Sequence, residues 1–211
     1  MFNFKKHNSQ GSNENTGDAA DSLAESLNDV FILMGLICHI DQSINSYETH
    51  IATQYAACVL HFDNDRLDKG MHSFYNASTL CTSHIQAAKR VYKKFKKDTA
   101  FLLDLYDWLE RLSLCDGQLC SAEQQALKQI HKEFRLKKNI LDKSDDPYFL
   151  LGCDSQASID EIKKAYRHKI AQYHPDTIMA ISPPEEFIQH TMGRFQAIKA
   201  AYENIRKRRR F

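Results

Sequence analysis

With 211 residues, 43% apolar, the chain can bury one or two modest cores. Its formal net charge of +1 is unevenly spread: Pro147 to Phe211 carries 11 Lys/Arg against 7 Asp/Glu, a net +4, leaving 28 − 11 = 17 against 27 − 7 = 20, a net −3, for the rest. A basic partner surface is therefore expected at the C-terminal end, and six cysteines without CxxC pairs or short regular spacing (Cys38, Cys58, Cys81, Cys115, Cys120, Cys153) argue against a zinc ribbon or a disulfide scaffold and for reduced thiols in a cytoplasmic setting.

Residues 1–20, "MFNFKKHNSQGSNENTGDAA", are rich in Asn, Ser, Gly and Asp and have no apolar run behind their lysines, so a disordered tail is expected and a secretory signal is not. The longest apolar run, "VFILMGLI" at 30–37, is less than half of the roughly 18 residues that a membrane span needs. From Asp21 onward apolar residues recur at three and four, and only 7 Gly and 4 Pro punctuate the chain. This predicts an all-α fold with helices near 22–40, 47–62, 64–77, 83–96, 99–114 and 122–135. The polar segment "LKKNILDKSDDP" at 136–147 holds the domain boundary, giving a helical domain at 21–140, a linker at 141–146 and a second domain at 147–211.

The first domain contains a repeat. "CHIDQSINSYE" (38–48) and "LSLCDGQLCSAE" (112–123) each place an Asp at the end of one helix and a Glu in the first turn of the next: Asp41 with Glu48, and Asp116 with Glu123. A negative charge there suits the helix dipole, and Ser121 with Gln124 has the spacing of a capping box. Read as a calcium loop, Asp116, Gly117, Leu119 and Glu123 would occupy positions 5, 6, 8 and 12, but Leu112 and Leu114 would then fall at positions 1 and 3 and cannot ligate. A repeated helix–turn–helix corner is the expected reading, with no metal site. The repeat resembles the acidic corners of the TerB-like helical domain, a family linked to metal and stress responses. His39, His50, His61 and His72 recur every eleven residues, yet breaks near Asp41 and Asp63 interrupt any common helix, so they read as half-exposed helix-end residues.

After Asp146 the signals sharpen. Asp146 and Pro147 make a cap and first helical position, "YFLL" a single apolar turn, and Gly152 its end. Ser158 and Glu161 form a capping box opening a helix through Tyr173, which Pro175 stops. Ser182, Pro183 and Glu185 start a third helix with a stripe of Phe187, Met192, Phe195, Ile198, Tyr202 and Ile205. On the middle helix Ile159, Ile162, Ala165, Tyr166, Ile170 and Tyr173 share the apolar face. Lys163 and Arg167 stack beside that face, and the phase carries His174 to the same side, so two cations and the His174-Pro175-Asp176 corner share one solvent-facing strip.

The stretches "DPYFLLGCDSQASIDEIKKAYRHKIAQYHPD" and "FQAIKAAYENI" resemble a J-domain, the co-chaperone module named after DnaJ, from about Asp146 to Arg206. A helical domain opening "FILMGLICHIDQSINSYETHIA" ahead of it is similar to DjlA-type proteins, where a TerB-like domain precedes a C-terminal J-domain. The resemblance implies that His174, Pro175 and Asp176, with Lys163, Tyr166 and Arg167, engage a DnaK-type chaperone and stimulate its ATP hydrolysis; the chain itself would be no enzyme and need no cofactor. Its helical domain would recruit an unknown client or partner. The chain departs from the family pattern in Lys169, at a position where a buried leucine is usual; in Thr177 and Ile178, after the motif; and in a polar N-terminal tail where an anchoring span is usual. Three other functions compete: a TerB-like metal-binding or stress-response protein with a weak or degenerate J-domain; a metal-dependent hydrolase using His174, Asp176 and the acidic corners, for which the sequence places no third catalytic residue nearby; and a nucleic-acid binder built on "RKRRRF" (206–211), where no aromatic interleaving supports specific recognition.

Overall fold

The computed structural model describes residues 16–41, 44–115, 117, 119–136, 146–174 and 183–211, with side chains from Leu27 onward. All regular elements among them are helical. The chain forms two compact units, a larger one from residues up to Ser113 together with Leu119–Arg135, and a smaller one centred on Leu136–Phe211.

The larger unit contains α1 (Thr16–Cys38), α2 (Ser46–Cys58), α3 (Asn64–Tyr75), a 3-10 turn at Ala77–Thr79, α4 (His84–Phe95), α5 (Thr99–Ser113) and α6 (Ser121–Glu133). Helix α1 starts at Thr16, inside the segment expected to be a tail, whose residues 1–15 lie outside the described ones. Helix α2 stops at Cys58 and not near 62, because His61 turns left-handed at φ 52° and Asp63 already caps α3.

The apolar run of α1 is the centre of this unit. Val30, Phe31, Leu33, Met34 and Ile37 are each at most 1% exposed, and α2, α3, α4, α5 and the 3-10 turn all pack on the helix. A helix that is apolar all round belongs in a protein core when it is too short to span a bilayer. No described helix is long and apolar enough to cross a membrane. Two glycines let α1 and α3 approach closely: a Cβ on Gly35 would lie 2.1 Å from the Phe74 carbonyl oxygen and 2.8 Å from the Ala77 Cβ, and one on Gly70 would lie 3.0 Å from the Phe31 ring.

Helix α5 buries charge as well as apolar surface. Asp104 and Asp107 are 4% exposed, and Arg111, fully buried, stacks 4.0 Å from the Trp108 ring centre. A guanidinium on an indole face gains cation–π attraction that offsets part of its desolvation. Tyr55 meets Trp108 edge-on at 5.4 Å, and its hydroxyl pKa is pushed well above the ordinary value by burial first and then by the charges of Asp104 and Asp98.

Both acidic corners are capping boxes. Glu48 N–H donates to Asn45 Oδ1 (2.9 Å) while Asn45 N–H donates to Glu48 Oε2 (2.7 Å). In the second corner the cap is Cys120: Glu123 N–H donates to its Sγ (3.3 Å), and Cys120 N–H donates to Glu123 Oε2 (2.9 Å). The expected Ser121–Gln124 box is therefore displaced by one residue, since a thiol serves as the cap acceptor. Asp41 is exposed, and Asp116 lies outside the described residues. His39 and His50 are half-buried, whereas His61 and His72 are exposed.

The smaller unit contains α7 (Pro147–Leu151), α8 (Ile159–Gln172) and α9 (Glu185–Arg209). Leu151, Ile162, Ala165, Tyr173, Ile198, Ala201 and Ile205 form its core.

The close crossing of α1 and α3 yields a paired prediction. Gly35→Ala should destabilise the protein by about 1–3 kcal/mol, because the methyl group must push backbone aside. Gly193→Ala, in α9 with nothing within 4 Å of the new Cβ, should raise stability by up to about 1 kcal/mol through helix propensity. Chemical denaturation of the two variants beside the wild type measures both signs.

Candidate functional site

The smaller unit is built from local signals that the sequence states openly. The Asp146 carboxylate accepts from Tyr148 N–H (3.1 Å), Pro147 sits at the first helical position, and Gly152 closes α7 at φ 67°, a left-handed conformation that glycine adopts without strain. Helix α8 opens on the predicted box: Ser158 N–H donates to Glu161 Oε2 (2.8 Å), and Glu161 N–H donates to Ser158 Oγ (3.3 Å). Helix α9 begins only at Glu185 with Pro184 as its cap and no side-chain capping bond, whereas Ser182, the expected cap, lies outside the described residues.

The expected apolar face of α8 divides by depth. Ile162, Ala165 and Tyr173 are buried, and Tyr166 and Ile170 pack against the core partly exposed. Ile159 departs from the expectation: it is 40% exposed, since as the first helical residue it lies at the edge of the packed turns. Lys169 is half-buried, and its Cε lies 3.7 Å from where a Gly152 Cβ would stand. Its stem thus covers the end of α7, the arrangement expected when a long cation replaces a core leucine.

Of the six candidate contact residues, four are described; Pro175 and Asp176 lie outside the described residues. Lys163, Arg167 and His174 are exposed and Tyr166 is half-buried. Arg167 lies back along the helix, its Nε donating to the Lys163 carbonyl oxygen (3.3 Å). Tyr166 stacks on Tyr202 of α9 with ring centres 4.0 Å apart and planes 13° apart. Loss of solvent there, then the neighbouring Tyr202 and Glu203, raises the Tyr166 hydroxyl pKa. The His174 ring meets Phe195 edge-on at 6.1 Å and 86°.

Sequence reasoning missed the residues that brace this strip. Lys199 places its Nζ 5.5 Å from the centre of the same Phe195 ring that His174 touches. Phe211 meets Tyr202 edge-on at 6.2 Å and lies 5.7 Å from Lys163 Nζ. Lys163, Phe211, Tyr202 and Tyr166 therefore form a continuous ladder from the exposed cation to the α8–α9 interface. The i,i+4 spacing of Phe195 and Lys199 was a readable signal. The fold-back of Phe211 depends on Arg210 turning left-handed at φ 54°, which composition does not reveal.

The "RKRRRF" segment is likewise not a separate tail. Helix α9 runs through Arg209. The Arg209 guanidinium donates to the carbonyl oxygens of Ala157 and of Ser155 (2.6 Å for the latter) and lies 5.5 Å from the Tyr148 ring centre. Arg206 pairs with Glu203 at 3.4 Å and donates to the Phe211 carbonyl oxygen at 3.0 Å. Two of the five cations thus close the unit on itself.

Comparison with known proteins gives two family matches in the same order along the chain: Tellurite resistance protein TerB over residues 28–144 and DnaJ domain over residues 146–210. The co-chaperone protein DjlA of Shewanella oneidensis is 23% identical over 218 residues, covering 92% of this chain and 81% of that protein. The co-chaperone protein DjlA of Coxiella burnetii is 46% identical over 63 residues, 30% of this chain and 23% of that one. Chaperone protein dnaJ 49 of Arabidopsis thaliana is 35% identical over 78 residues, 37% of this chain and 22% of that one. The chain thus matches less than a quarter of the length of the latter two relatives. No solved structure matches significantly.

Removing the Arg209 clasp should loosen the smaller unit. Arg209→Ala deletes two charge-assisted bonds to carbonyls, for an expected loss of about 1–3 kcal/mol. Deleting residues 206–211 should cost more, because Phe211 goes too. Thermal unfolding followed by circular dichroism reads both.

Proposed function

The chain belongs to the TerB family and carries a DnaJ domain after its TerB domain, and on that premise we propose that it is a co-chaperone whose DnaJ domain docks on a DnaK-type chaperone and stimulates its ATP hydrolysis. The observation that carries this reading is the strip along α8: Lys163 and Arg167 on the helix and His174 just past its end face solvent, while the adjoining face of the helix closes the core. Lys163 and Arg167 supply the positive charge that draws in an acidic chaperone surface, an effect felt mainly in the association rate. His174, with Pro175 and Asp176, supplies the short-range contact. Proline fixes the backbone between the two side chains, so little freedom is lost on docking. In this reading the hydrolytic chemistry belongs to the partner, and His174 and Asp176 are binding groups. The TerB domain is proposed to recruit a client or a second partner.

The brace beneath the strip supports the same reading. A lysine held over Phe211 and a tyrosine stacked on Tyr202 start closer to one geometry than side chains on an isolated helix.

Single-turnover ATP hydrolysis by a DnaK-type chaperone, with and without the protein, tests the proposal. His174→Gln should return the rate to the basal value while leaving helicity and thermal stability nearly intact, because an exposed side chain contributes little packing. Undiminished stimulation by that variant would remove the recognition role.

A second measurement separates steering from contact. Reversing both Lys163 and Arg167 to Glu should weaken stimulation strongly at low salt, and wild-type stimulation should itself fade as added salt brings the Debye length to roughly 8 Å and below. The His174→Gln defect should persist at every salt concentration. A salt-independent wild type would show that charge steering is not at work.

A further inference from the structure

Some exposed charges on the helices of this protein neutralise one another. On α3, Lys69 meets Asp65 at 2.8 Å and Arg66 faces Asp63 at 3.8 Å, and on α9 Arg206 meets Glu203. Helix α4 and the residues just after it depart from that pattern. Between Gln86 and Asp98 stand Lys89, Arg90, Lys93, Lys94, Lys96 and Lys97, with no acidic residue among them. The opposite face of α4, formed by Ala87, Ala88, Val91 and Phe95, is buried.

Contacts on either side fix where these cations point. Arg90 turns toward α1, its Nε donating to Asp29 at 2.7 Å and its Nη1 to Thr82 at 3.0 Å. Tyr92 turns toward α6, where Arg135 lies 5.2 Å from its ring centre, and His84 meets Gln129 of α6 at 2.7 Å. Lys89, Lys93 and Lys96 fall between those two directions and so point outward, with Lys97 beside them. The neighbouring α6 adds Lys128, Lys132 and, just past its end, Arg135, all exposed and spaced at i, i+4 and i+7. These seven cations form no ion pair among the described residues. The nearest acidic residue in that part of α6, Glu133, is half-buried. Two helices packed side by side thus present one broad cationic face within a unit whose overall charge the sequence makes negative.

We propose that this α4–α6 face docks peripherally on an anionic lipid surface. Six of the seven charges are lysines, which act as point charges and lack the guanidinium fork suited to bidentate reading of a phosphate or base. Tyr92, on this side of α4, is half-buried under Arg135 and offers no platform for base stacking, and Phe95 and Phe134 are buried in the core. Side-by-side helices make a broad, shallow surface that a planar array of headgroups can meet at several lysines at once. The apolar side of α4 is locked into the core, so the contact is electrostatic and reversible. The proposal stands independently of the co-chaperone reading.

Co-sedimentation of the full chain with vesicles tests it. The protein should pellet with phosphatidylcholine vesicles carrying about 30% phosphatidylserine and not with pure phosphatidylcholine, and binding should collapse as salt is raised. Lys93→Glu with Lys96→Glu should weaken binding at least about tenfold, and Lys128→Gln with Lys132→Gln should weaken it in the same direction, giving a milder pair should the first disturb folding. Lys207→Glu with Arg208→Glu, an equal charge change on α9, should leave binding largely intact. Absence of anionic-vesicle binding at low salt, or equal loss in the α9 pair, would overturn the proposal. Tighter binding of a duplex DNA or RNA oligonucleotide than of vesicles, through the same lysines, would overturn it in favour of nucleic acid.

Discussion

The larger unit depends on the near-complete burial of the apolar run of α1 from Val30 to Cys38. A helix that turns apolar residues in all directions must be surrounded, and the cheapest way to surround it is to bring neighbours to backbone contact. Gly35 and Gly70 permit this, one passing under the Phe74 carbonyl and the other under the Phe31 ring. Once α1 and α3 are fixed at that distance, the 3-10 turn and α4 are drawn onto the same core, and the charged side of α4 has only the solvent direction left. The basic face is thus a by-product of where the core sits.

The smaller unit solves a different problem. It has a short α7, a modest core and one exposed strip, and few apolar residues with which to hold that strip in place. The last turn of α9 supplies what the core lacks. Arg209 ties the loop ahead of α8 to α9, and Phe211 and Tyr202 support Lys163 and Tyr166 from below. Stability and presentation of the strip are therefore one mechanism.

Local chemistry was legible where it was local. The caps at Asp146 and at Ser158 with Glu161, the left-handed Gly152 and the burial of Ile162 and Ala165 all follow from spacings of a few residues. The reading slipped at Cys120, because thiols are rarely counted as caps. It failed for properties set in three dimensions. Net charge counted along the chain drew attention to the C-terminal end, and it hid the seven cations without an ion pair among the described residues that α4, α6 and the residues just past their ends carry in the unit counted as acidic. The cations of "RKRRRF" looked available and are partly consumed by carbonyls more than fifty residues earlier in sequence. Burial of Arg111 and its aspartate neighbours on α5 is likewise a packing outcome, invisible to a helical periodicity that treats charge as solvent-facing.

The fold-back of Phe211 has a practical side. Its ring lies 5.7 Å from the Lys163 ammonium and its carbonyl oxygen is held by Arg206. An affinity tag or fluorescent protein joined after Phe211 would therefore emerge beside the exposed strip of α8 and shield it, and could pull the ring from its seat under load. Immobilisation or labelling through that end would report weakened partner binding for reasons of attachment alone, so handles for such measurements belong on a surface remote from α8 in the smaller unit.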